Sequence, residues 1–534
     1  MSTATQAAAA PRRTARSRAL PAWWPLAALT LLAAVLRLST LGLQSFWYDE
    51  AFTPVSVLHP SLFSTLHQLT RTENSPPLWY VLEWVFYRLL GTGEWALRIP
   101  SALAGIALVP VAWGIGRELS GRAAAIATAA LVAVDPIFVW YSQEARVYGL
   151  YTLATGVAML CFLRFAARPE DRRRALAFAL AGVFALLAHY FTVFLLAGMA
   201  LWLLWRGETR RRCLPALGAI GVVGLALIPL VAAQGARNTN WIGEWALSSR
   251  LQAIPQYFLT GYNGNALGHS IELLVALPLL AACALGLWRA SEPGSRAAGA
   301  GESENAVPAS SRWAGPAWAS PHPASEEDRH RRGATISLLL ALCGFGIPLV
   351  LALAGADYLA PRNVLGAMLP TASLIAVLGT WPRTRPYGAA LLALGAAGLL
   401  AITIDTDLSP RLQRADWRGL ARAIPAGAGE RAYAVPLLGS APLEYYIPGL
   451  RRLAPHRSVA VREIVDAFEL PLPEGAGATP AGFRLAEHRV VHGLSFFRFV
   501  SPVPRMRSEE QLRRELRGAV QPEVIVPGNA RSSR

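Results

Sequence analysis

The sequence predicts a polytopic α-helical membrane protein with about 11 transmembrane helices and a small external α/β domain at its C-terminus. The first observation is composition, because 53% of the 534 residues are hydrophobic, only 16% are charged, and the mean hydropathy is +0.34. Soluble proteins carry about 25% charged residues. The second is a series of apolar blocks close to the ~20 residues that cross a bilayer. The third is that arginines gather at the ends of these blocks, as membrane topology requires.

The apolar blocks are predicted to cross the membrane from residue 22 to residue 404. The basic N-terminus, residues 1–21, is held inside, because positive residues favour the cytoplasmic side. If residues 44–96 stay outside, every arginine cluster falls on the cytoplasmic side, and the C-terminus lies outside. Abundant Ala and Arg without any Lys indicate a GC-rich bacterial source, so the membrane is predicted to be the bacterial inner membrane. The predicted spans are 22–43, 97–117, 121–140, 147–166, 174–190, 191–206, 213–233, 269–288, 334–354, 362–380 and 386–404.

Three segments are predicted to lie outside the spans. Residues 76–91, PPLWYVLEWVFYRLLG, are apolar, but counting them as a span would reverse every later arginine cluster, so an interfacial helix is predicted. Glu83, Arg88 and the aromatic residues suit the amphipathic position of such a helix. Residues 290–333 are rich in Ala, Gly, Ser, Pro and charge, which favours a disordered cytoplasmic linker. Residues 405–534 alternate strand-like runs with helical stretches, which indicates the small extracytoplasmic α/β domain.

Composition also excludes some functions. The formal net charge is +16, but the arginines form no stripe interleaved with aromatic residues, so nucleic-acid binding is not predicted. The four cysteines lie inside or beside apolar blocks and are interpreted as small packing residues rather than as metal ligands or disulfides.

Polar residues gather in the segments that are predicted to lie outside. Acids, arginines, amides and aromatic residues recur there at one membrane level, a mixture that suits a sugar carried on a phosphate. They occur in QSFWYDEAFT at 44–53, in YSQEARVYG at 141–149, in QGARNTNWIGEW at 234–245 and in DYLAPRN at 357–363, with His59, His67, Glu73 and Asn74 between the first two.

Several short motifs, taken in order, resemble glycosyltransferase family 39 of the GT-C superfamily, which includes protein O-mannosyltransferases and the aminoarabinose transferases of lipid A. They are Trp47-Tyr48-Asp49-Glu50, Pro76-Pro77-Leu78, ALRIPSALAG at 96–105, YSQEARVYGL at 141–150, Arg362 followed by a span with Pro370, and ADWRGLA at 415–421. Asn74-Ser75 stands where such proteins often have His before the paired prolines.

The resemblance implies a GT-C fold and a glycosyltransferase, mannose-like in its sugar, that uses a polyprenyl-phosphate donor and an extracytoplasmic protein, lipid or glycan acceptor. A phosphate leaving group needs little protonation, so one carboxylate base suffices and an inverting reaction is expected, whereas glycosidases need two carboxyl groups. Asp49 is the expected general base. Glu50 is the second residue assigned to the catalytic site, where it is expected to support the fold or to contact the acceptor. Arg146 and Arg362 are expected to bind the donor phosphate. Expected substrate contacts are Tyr48, Tyr141, Glu144, Arg237, Trp241 and Tyr358.

Structural alternatives stay open at this stage. Asp49 could cap a helix that begins at Ala51, Glu144 and Arg146 could form an interfacial ion pair, and Arg362 could extend to lipid headgroups. No metal ligand is predicted, although a divalent cation shared by Asp49 and Glu144 stays open. A transporter or flippase is the alternative function. Charges near the membrane midplane would favour it, whereas here they crowd the outer ends of the spans.

Overall fold

Long apolar helices form one part of the molecule, and within the described residues strands occur only in the C-terminal part. The computed structural model describes residues 21–235, 240–261, 268–291, 325–426, 430–516, 522–528 and 532–533. The helices are α1 Trp24–Leu38, α2 Tyr48–Phe52, α3 Leu62–Thr72, α4 Leu78–Leu90, α5 Glu94–Ser120, α6 Arg122–Val134, α7 Pro136–Ser142, α8 Tyr148–Ala167, α9 Arg172–Ala188, α10 Thr192–Trp205, α11 Gly207–Gln234, α12 Leu247–Thr260, α13 His269–Ser291, α14 Glu326–Leu353, α15 Leu365–Gly379, α16 Arg385–Leu408, α17 Trp417–Ala423, α18 Ser440–Tyr446 and α19 Glu509–Glu515.

The helices agree with the predicted spans in position but only partly in length. Within the described residues, α5, α8, α11, α13, α14 and α16 are long and apolar enough to cross a membrane, and α6 with α7 would make a seventh span. α1, α10 and α15 are apolar helices of 14 or 15 residues. At 1.5 Å per residue they reach about 22 Å, short of the ~30 Å hydrocarbon core. The multi-pass character is therefore supported, and the count of about 11 spans only in part.

The α6–α7 pair bends by 56° between Val134 and Pro136. Asp135 occupies the break, and its carboxylate accepts a hydrogen bond from the backbone N–H of Ile137 at 3.0 Å. Pro136 at the first helical position donates no N–H, so it starts the new helix without losing a bond. The bend directs α7 towards the loop that carries Glu144 and Arg146.

The predicted linker differs from the structure at its end. Residues 325–333 lie in helix α14 and its cap, where the side chain of Ser325 accepts a hydrogen bond from the N–H of Asp328. The acidic run after Ser325 suits a helix N-terminus. The prediction was wrong for these residues because it rested on overall composition and not on this capping pattern. Residues 292–324, like the basic N-terminus at 1–20, lie outside the described residues.

The segment after α1 folds into short helices at one end of the bundle. A π-helical turn, Thr53–Val57, continues α2, and α3 and α4 follow. α4 agrees with the predicted interfacial helix and is not among the helices that could span a membrane. One side chain departs from the prediction, because Glu83 is fully buried and neither carboxylate oxygen has a hydrogen-bond partner among the described residues. Burial raises the pKa of Glu83 well above its usual range.

The C-terminal part forms one mixed sheet, with strands β1 Arg431–Val435, β2 Leu450–Arg452, β3 Ser458–Glu469, β4 Arg484–Val491, β5 Leu494–Ser508, β6 Glu523–Pro527 and β7 Ser532–Ser533. The order is β2-β6-β1-β3-β5-β4, with β7 beside β3. β1 and β3 run parallel, as in the pair Tyr433 and Val465, and the other pairs are antiparallel. Successive strand residues face opposite sides, so the sheet has two apolar faces. α17 and α18 cover one face, and Leu512 of α19 packs on the other.

The helices α17 and α18 that cover this face of the sheet also contact the segment after α1. The ring of Tyr48 in α2 lies 5.8 Å from that of fully buried Trp417 in α17. The hydroxyl of Tyr446 in α18 accepts a hydrogen bond from the N–H of Phe46 at 2.7 Å. These contacts hold the C-terminal unit against the end of the bundle where the predicted site residues lie.

Candidate active site

Asp49 lies in the first turn of α2, because the helix begins at Tyr48 rather than at the predicted Ala51. Trp47 is the N-cap residue, and no side chain caps the helix there. The Asp49 carboxylate instead accepts a hydrogen bond from Nη1 of Arg362, with Oδ2 and Nη1 2.7 Å apart. The capping alternative is therefore wrong for this helix, and the predicted base contacts a predicted phosphate-binding residue.

The Asp49–Arg362 pair is partly open to solvent. The two side chains are 23% and 24% exposed, so small groups can reach them. Burial alone would raise the pKa of Asp49, but the guanidinium of Arg362, with help from Arg146 and Arg414, lowers it below the ordinary value. Asp49 is therefore ionised while Arg362 holds it.

Glu50 points into the protein, where it is fully buried. Arg98 of α5 donates to both of its oxygens, at 2.7 and 2.8 Å, and Arg414 donates to Oε2 at 2.7 Å. The N–H of Ala145 donates to Oε1 at 2.9 Å. Burial raises the pKa of Glu50, but the two arginines more than offset that and lower it. All these contacts are internal, so the geometry favours a structural role for Glu50.

Glu144 lies in the loop between α7 and α8. The predicted alternative of an ion pair between Glu144 and Arg146 is wrong, because Glu144 has a different partner. Its Oε1 accepts a hydrogen bond from Nη2 of Arg414. Its Oε2 is buried and has no hydrogen-bond partner among the described residues. Burial raises the pKa of Glu144 to about 7, with Glu50 and Asp49 adding to the rise and Arg414 opposing it.

Arg146 has an acidic partner of its own. Its Nη1 and Nη2 donate to the two oxygens of Glu73, both at 3.0 Å, which is the bidentate geometry of strong arginine–carboxylate pairs. Glu73 is buried, and the Arg146 side chain is 13% exposed. Arg146 contributes positive potential at Asp49, but its two terminal nitrogens already bind the carboxylate of Glu73.

Three of the predicted substrate contacts pack against other aromatic rings. Tyr48 packs on Trp417, the ring of Tyr141 lies 4.8 Å from that of Tyr148, and the ring of Tyr358 lies 5.8 Å from that of Phe191. Arg237 lies outside the described residues. Trp241 belongs to the 3-10 turn Asn240–Glu244, and its side chain lies outside what the structure describes.

Two arginines that join the site were not predicted, Arg98 and Arg414. Each stands in or beside a motif that was recognised, Arg98 inside ALRIPSALAG and Arg414 directly before ADWRGLA. The position of each arginine in or beside a recognised motif was the sequence signal that could have identified it as a site residue. A metal site has no similar support, since among the described residues no three His, Cys, Asp or Glu side chains come together.

A polar cleft of about 230 Å³ opens beside Arg414. It lies between the residues that follow α1 and the residues that precede α17, and it includes Gln44, Gln413, Asp416 and His492. A smaller cavity that Arg414 also lines is bounded by Arg98 and Gln143. Arg414 therefore contacts both the buried carboxylates and a hydrophilic space.

Comparison with known proteins agrees with the resemblance. Residues 74–233 match the family model described as dolichyl-phosphate-mannose-protein mannosyltransferase. No curated protein sequence gives a significant match.

Among solved structures, the chain is similar to ArnT from Cupriavidus metallidurans bound to undecaprenyl phosphate, at 14% identity and a TM-score of 0.48, covering 80% of this chain and 85% of that one. It is also similar to the oligosaccharyltransferase of Archaeoglobus fulgidus, at 13% identity and a TM-score of 0.44, covering 76% of this chain and 56% of that one. Because both TM-scores are below 0.5, we draw no conclusion about chemistry from these two likenesses.

Proposed function

We propose that this protein transfers a sugar from a polyprenyl-phosphate donor to an extracytoplasmic acceptor, and the match of residues 74–233 to the mannosyltransferase family model supports this proposal. The proposed sugar is mannose or a related hexose, as the description of the matching family suggests. The proposed acceptor is a hydroxyl group on a protein, lipid or glycan. Asp49 is the proposed general base, and Arg362 the principal phosphate ligand.

The reaction would be a single displacement. The acceptor hydroxyl attacks the anomeric carbon of the donor while Asp49 takes its proton, and the bond from that carbon to the phosphate oxygen breaks. The polyprenyl phosphate leaves with the bonding electron pair, and the guanidinium of Arg362 stabilises its charge. Attack from the face opposite the leaving group inverts the anomeric configuration.

The observation that supports this proposal most directly is the 2.7 Å contact between Asp49 and Arg362. A base and a phosphate ligand must both lie within a few ångströms of the anomeric carbon, and these two side chains meet at a partly exposed position. Arg362 lowers the pKa of Asp49. A phosphate that neutralises Arg362 would let that pKa rise, so donor binding would make Asp49 the stronger proton acceptor that general-base catalysis requires.

Arg146 keeps a supporting role in the proposal. Its bidentate pair with Glu73 occupies both terminal nitrogens, so direct phosphate binding would require that pair to open. Its positive charge acts on Asp49 without contact. We therefore assign the donor phosphate first to Arg362, and Arg146 to the electrostatic field around it.

The proposed orientation puts the site on the extracytoplasmic face of a bacterial inner membrane. Arginines at 168–174, 206–212, 329–332 and 383–385 lie at the opposite ends of the helices from Asp49 and Arg362 along the predicted topology. The N-terminus would then be cytoplasmic, and the C-terminal α/β unit extracytoplasmic.

Purified protein in lipid nanodiscs tests the function when it is supplied with radiolabelled polyprenyl-phosphate sugars and an extract of envelope acceptors. We expect label to move from the lipid phase to an acceptor, with free polyprenyl phosphate as the second product. Mannose and other hexoses should be compared as separate donors. If labelled lipid crosses a vesicle membrane without any chemical change, the transporter alternative replaces the enzyme.

Replacing Arg362 with Lys tests the phosphate ligand. Lys keeps the positive charge but loses the planar fork, so donor affinity should fall about tenfold or more while the fold is retained. The measurement is the dissociation constant for polyprenyl phosphate, obtained by titration of the purified variant.

Arg250→Lys is the matched control, because Arg250 forms a similar bidentate pair with Asp357, at 2.7 and 2.8 Å. It should leave donor affinity near the wild-type value. Equal donor binding in Arg362→Lys, Arg362→Ala and wild type would contradict the assignment.

A further inference from the structure

Arg414 reaches the candidate site from beyond the last long apolar helix. It lies between the 3-10 turn Pro410–Leu412 and α17, in the segment that joins α16 to the C-terminal sheet. Its side chain is only 8% exposed. Nη1 donates to Glu50 and Nη2 to Glu144, so one guanidinium bridges two buried carboxylates from different parts of the chain.

Several further contacts fix the Arg414 side chain in place. Its Cζ lies 4.3 Å from the ring centroid of Trp140 and 5.3 Å from that of Trp47. Its backbone N–H donates to Oε1 of Gln44 at 3.0 Å. A planar guanidinium can lie flat on an aromatic ring while its two terminal nitrogens donate to separate acceptors, whereas an ammonium group is a compact charge without this fixed fork.

We propose, on the basis of the function proposed above, that Arg414 is a positioning residue through which the C-terminal unit holds Glu144 as a carboxylate that receives the acceptor. Glu144 is bound at Oε1 only, and its buried Oε2 has no hydrogen-bond partner among the described residues. A buried acceptor oxygen without a donor is costly. An acceptor hydroxyl that donates to Oε2 would relieve that cost and would lie near Asp49.

The charge of Glu144 depends on the groups that face it. Glu50 and Asp49 disfavour its ionised form, Arg414 favours it most among the cations, and Arg362 favours it less. The pKa of Glu144 is about 7, because burial outweighs the arginines. Loss of the Arg414 charge should raise that pKa by roughly 1–3 units, the effect of one opposite charge at contact distance.

Arg414→Gln therefore tests the role through a pH profile. If ionised Glu144 receives the acceptor, activity should rise with pH through an acidic limb near 7 in the wild type. In Arg414→Gln this limb should move up by roughly 1–3 pH units. Arg414→Lys keeps a charge and should bring the limb back towards the wild-type position. The measurement is kcat/KM for the acceptor between pH 5 and about 10. This range includes the raised pKa that is expected for Glu144 in the variant.

Arg418→Gln is the matched control for general loss of docking. Arg418, four residues further on in α17, donates to Glu94 at 2.8 Å and so also ties the C-terminal unit to α5. Its loss should lower stability slightly and leave the acidic limb in place. An equal shift in Arg418→Gln, or no shift in Arg414→Gln, would overturn the proposal.

A second readout separates this proposal from the proposed function. A hydrophobic carbodiimide labels protonated carboxyl groups, and mass spectrometry of the purified protein gives the labelled fraction of Glu144 at each pH without any donor or acceptor. Labelling should decrease through pH 7 in the wild type and at higher pH in Arg414→Gln. This shift without any sugar transfer would reject the proposed enzyme but keep the link between Arg414 and Glu144. Identical labelling curves would reject that link.

Discussion

Asp49→Asn should lower turnover by roughly 10²–10⁴, the loss typical when a general base is removed. The replacement keeps the size of the side chain and an oxygen that can accept the hydrogen bond from Arg362, which lies 2.7 Å away. It removes the negative charge that competes with phosphate for the guanidinium. Donor affinity should therefore be unchanged or higher while turnover falls, a combination that misfolding does not produce.

The measurement is single-turnover transfer from a labelled donor, together with a separate titration of donor binding. Asp357→Asn is the matched control, because Asp357 is 26% exposed and likewise pairs with an arginine, Arg250. It should retain activity within a few-fold of the wild type. Near-normal turnover in Asp49→Asn would contradict the catalytic assignment. Because Asn and Asp have nearly the same size, a loss of turnover would not have a steric cause.

Arg98→Leu should lower the free energy of unfolding by up to about 3–5 kcal/mol, the cost of removing one partner from a buried ion pair. Arg414 still donates to Glu50 in this variant. Arg98 is 1% exposed and bonds both oxygens of Glu50. It also donates to the carbonyl oxygens of Leu41, Gln44 and Ser45, which would lose their donor. The variant should express at a lower level and unfold earlier.

Denaturant titration of the purified protein in detergent, followed by tryptophan fluorescence, measures this change. Arg164→Gln is the control, since Arg164 is 51% exposed and its contact to Glu118 is 3.4 Å long. Exposed pairs of this kind contribute about 0–1 kcal/mol. Equal losses in both variants would show that the Glu50–Arg98 contact is not a principal support of the fold.

The helices could be predicted from the sequence because their signal is local. Each predicted span contains a helix, since apolar runs must satisfy their backbone hydrogen bonds internally in a bilayer. Lengths were less predictable. α15 begins at Leu365, three residues after the predicted start at 362, because the preceding polar residues turn to place Arg362 against Asp49.

The partners of the site residues could not be predicted, because their pairing is long-range. Asp49 and Arg362 are 313 residues apart, and Arg414 and Glu144 are 270 apart. Local pattern instead suggested the neighbours Glu144 and Arg146 as a pair, and the structure gives each a different partner. Glu83 shows the same limit, because helix amphipathicity assigned it to the interface while packing buries it.

The long separation between each acid and its cation sets an order for biogenesis. Glu144 is made 270 residues before Arg414, and Asp49 is made 313 residues before Arg362. At a synthesis rate of about 5–20 residues per second, Arg362 is added to the chain roughly 15–60 seconds after Asp49. An unpaired carboxylate is expensive to bury, so it stays hydrated during that time. The Asp49 pair can therefore form only after residue 362 has been made, and the Glu144 pair only after residue 414. A nascent chain that is halted before residue 362 keeps both acids in water.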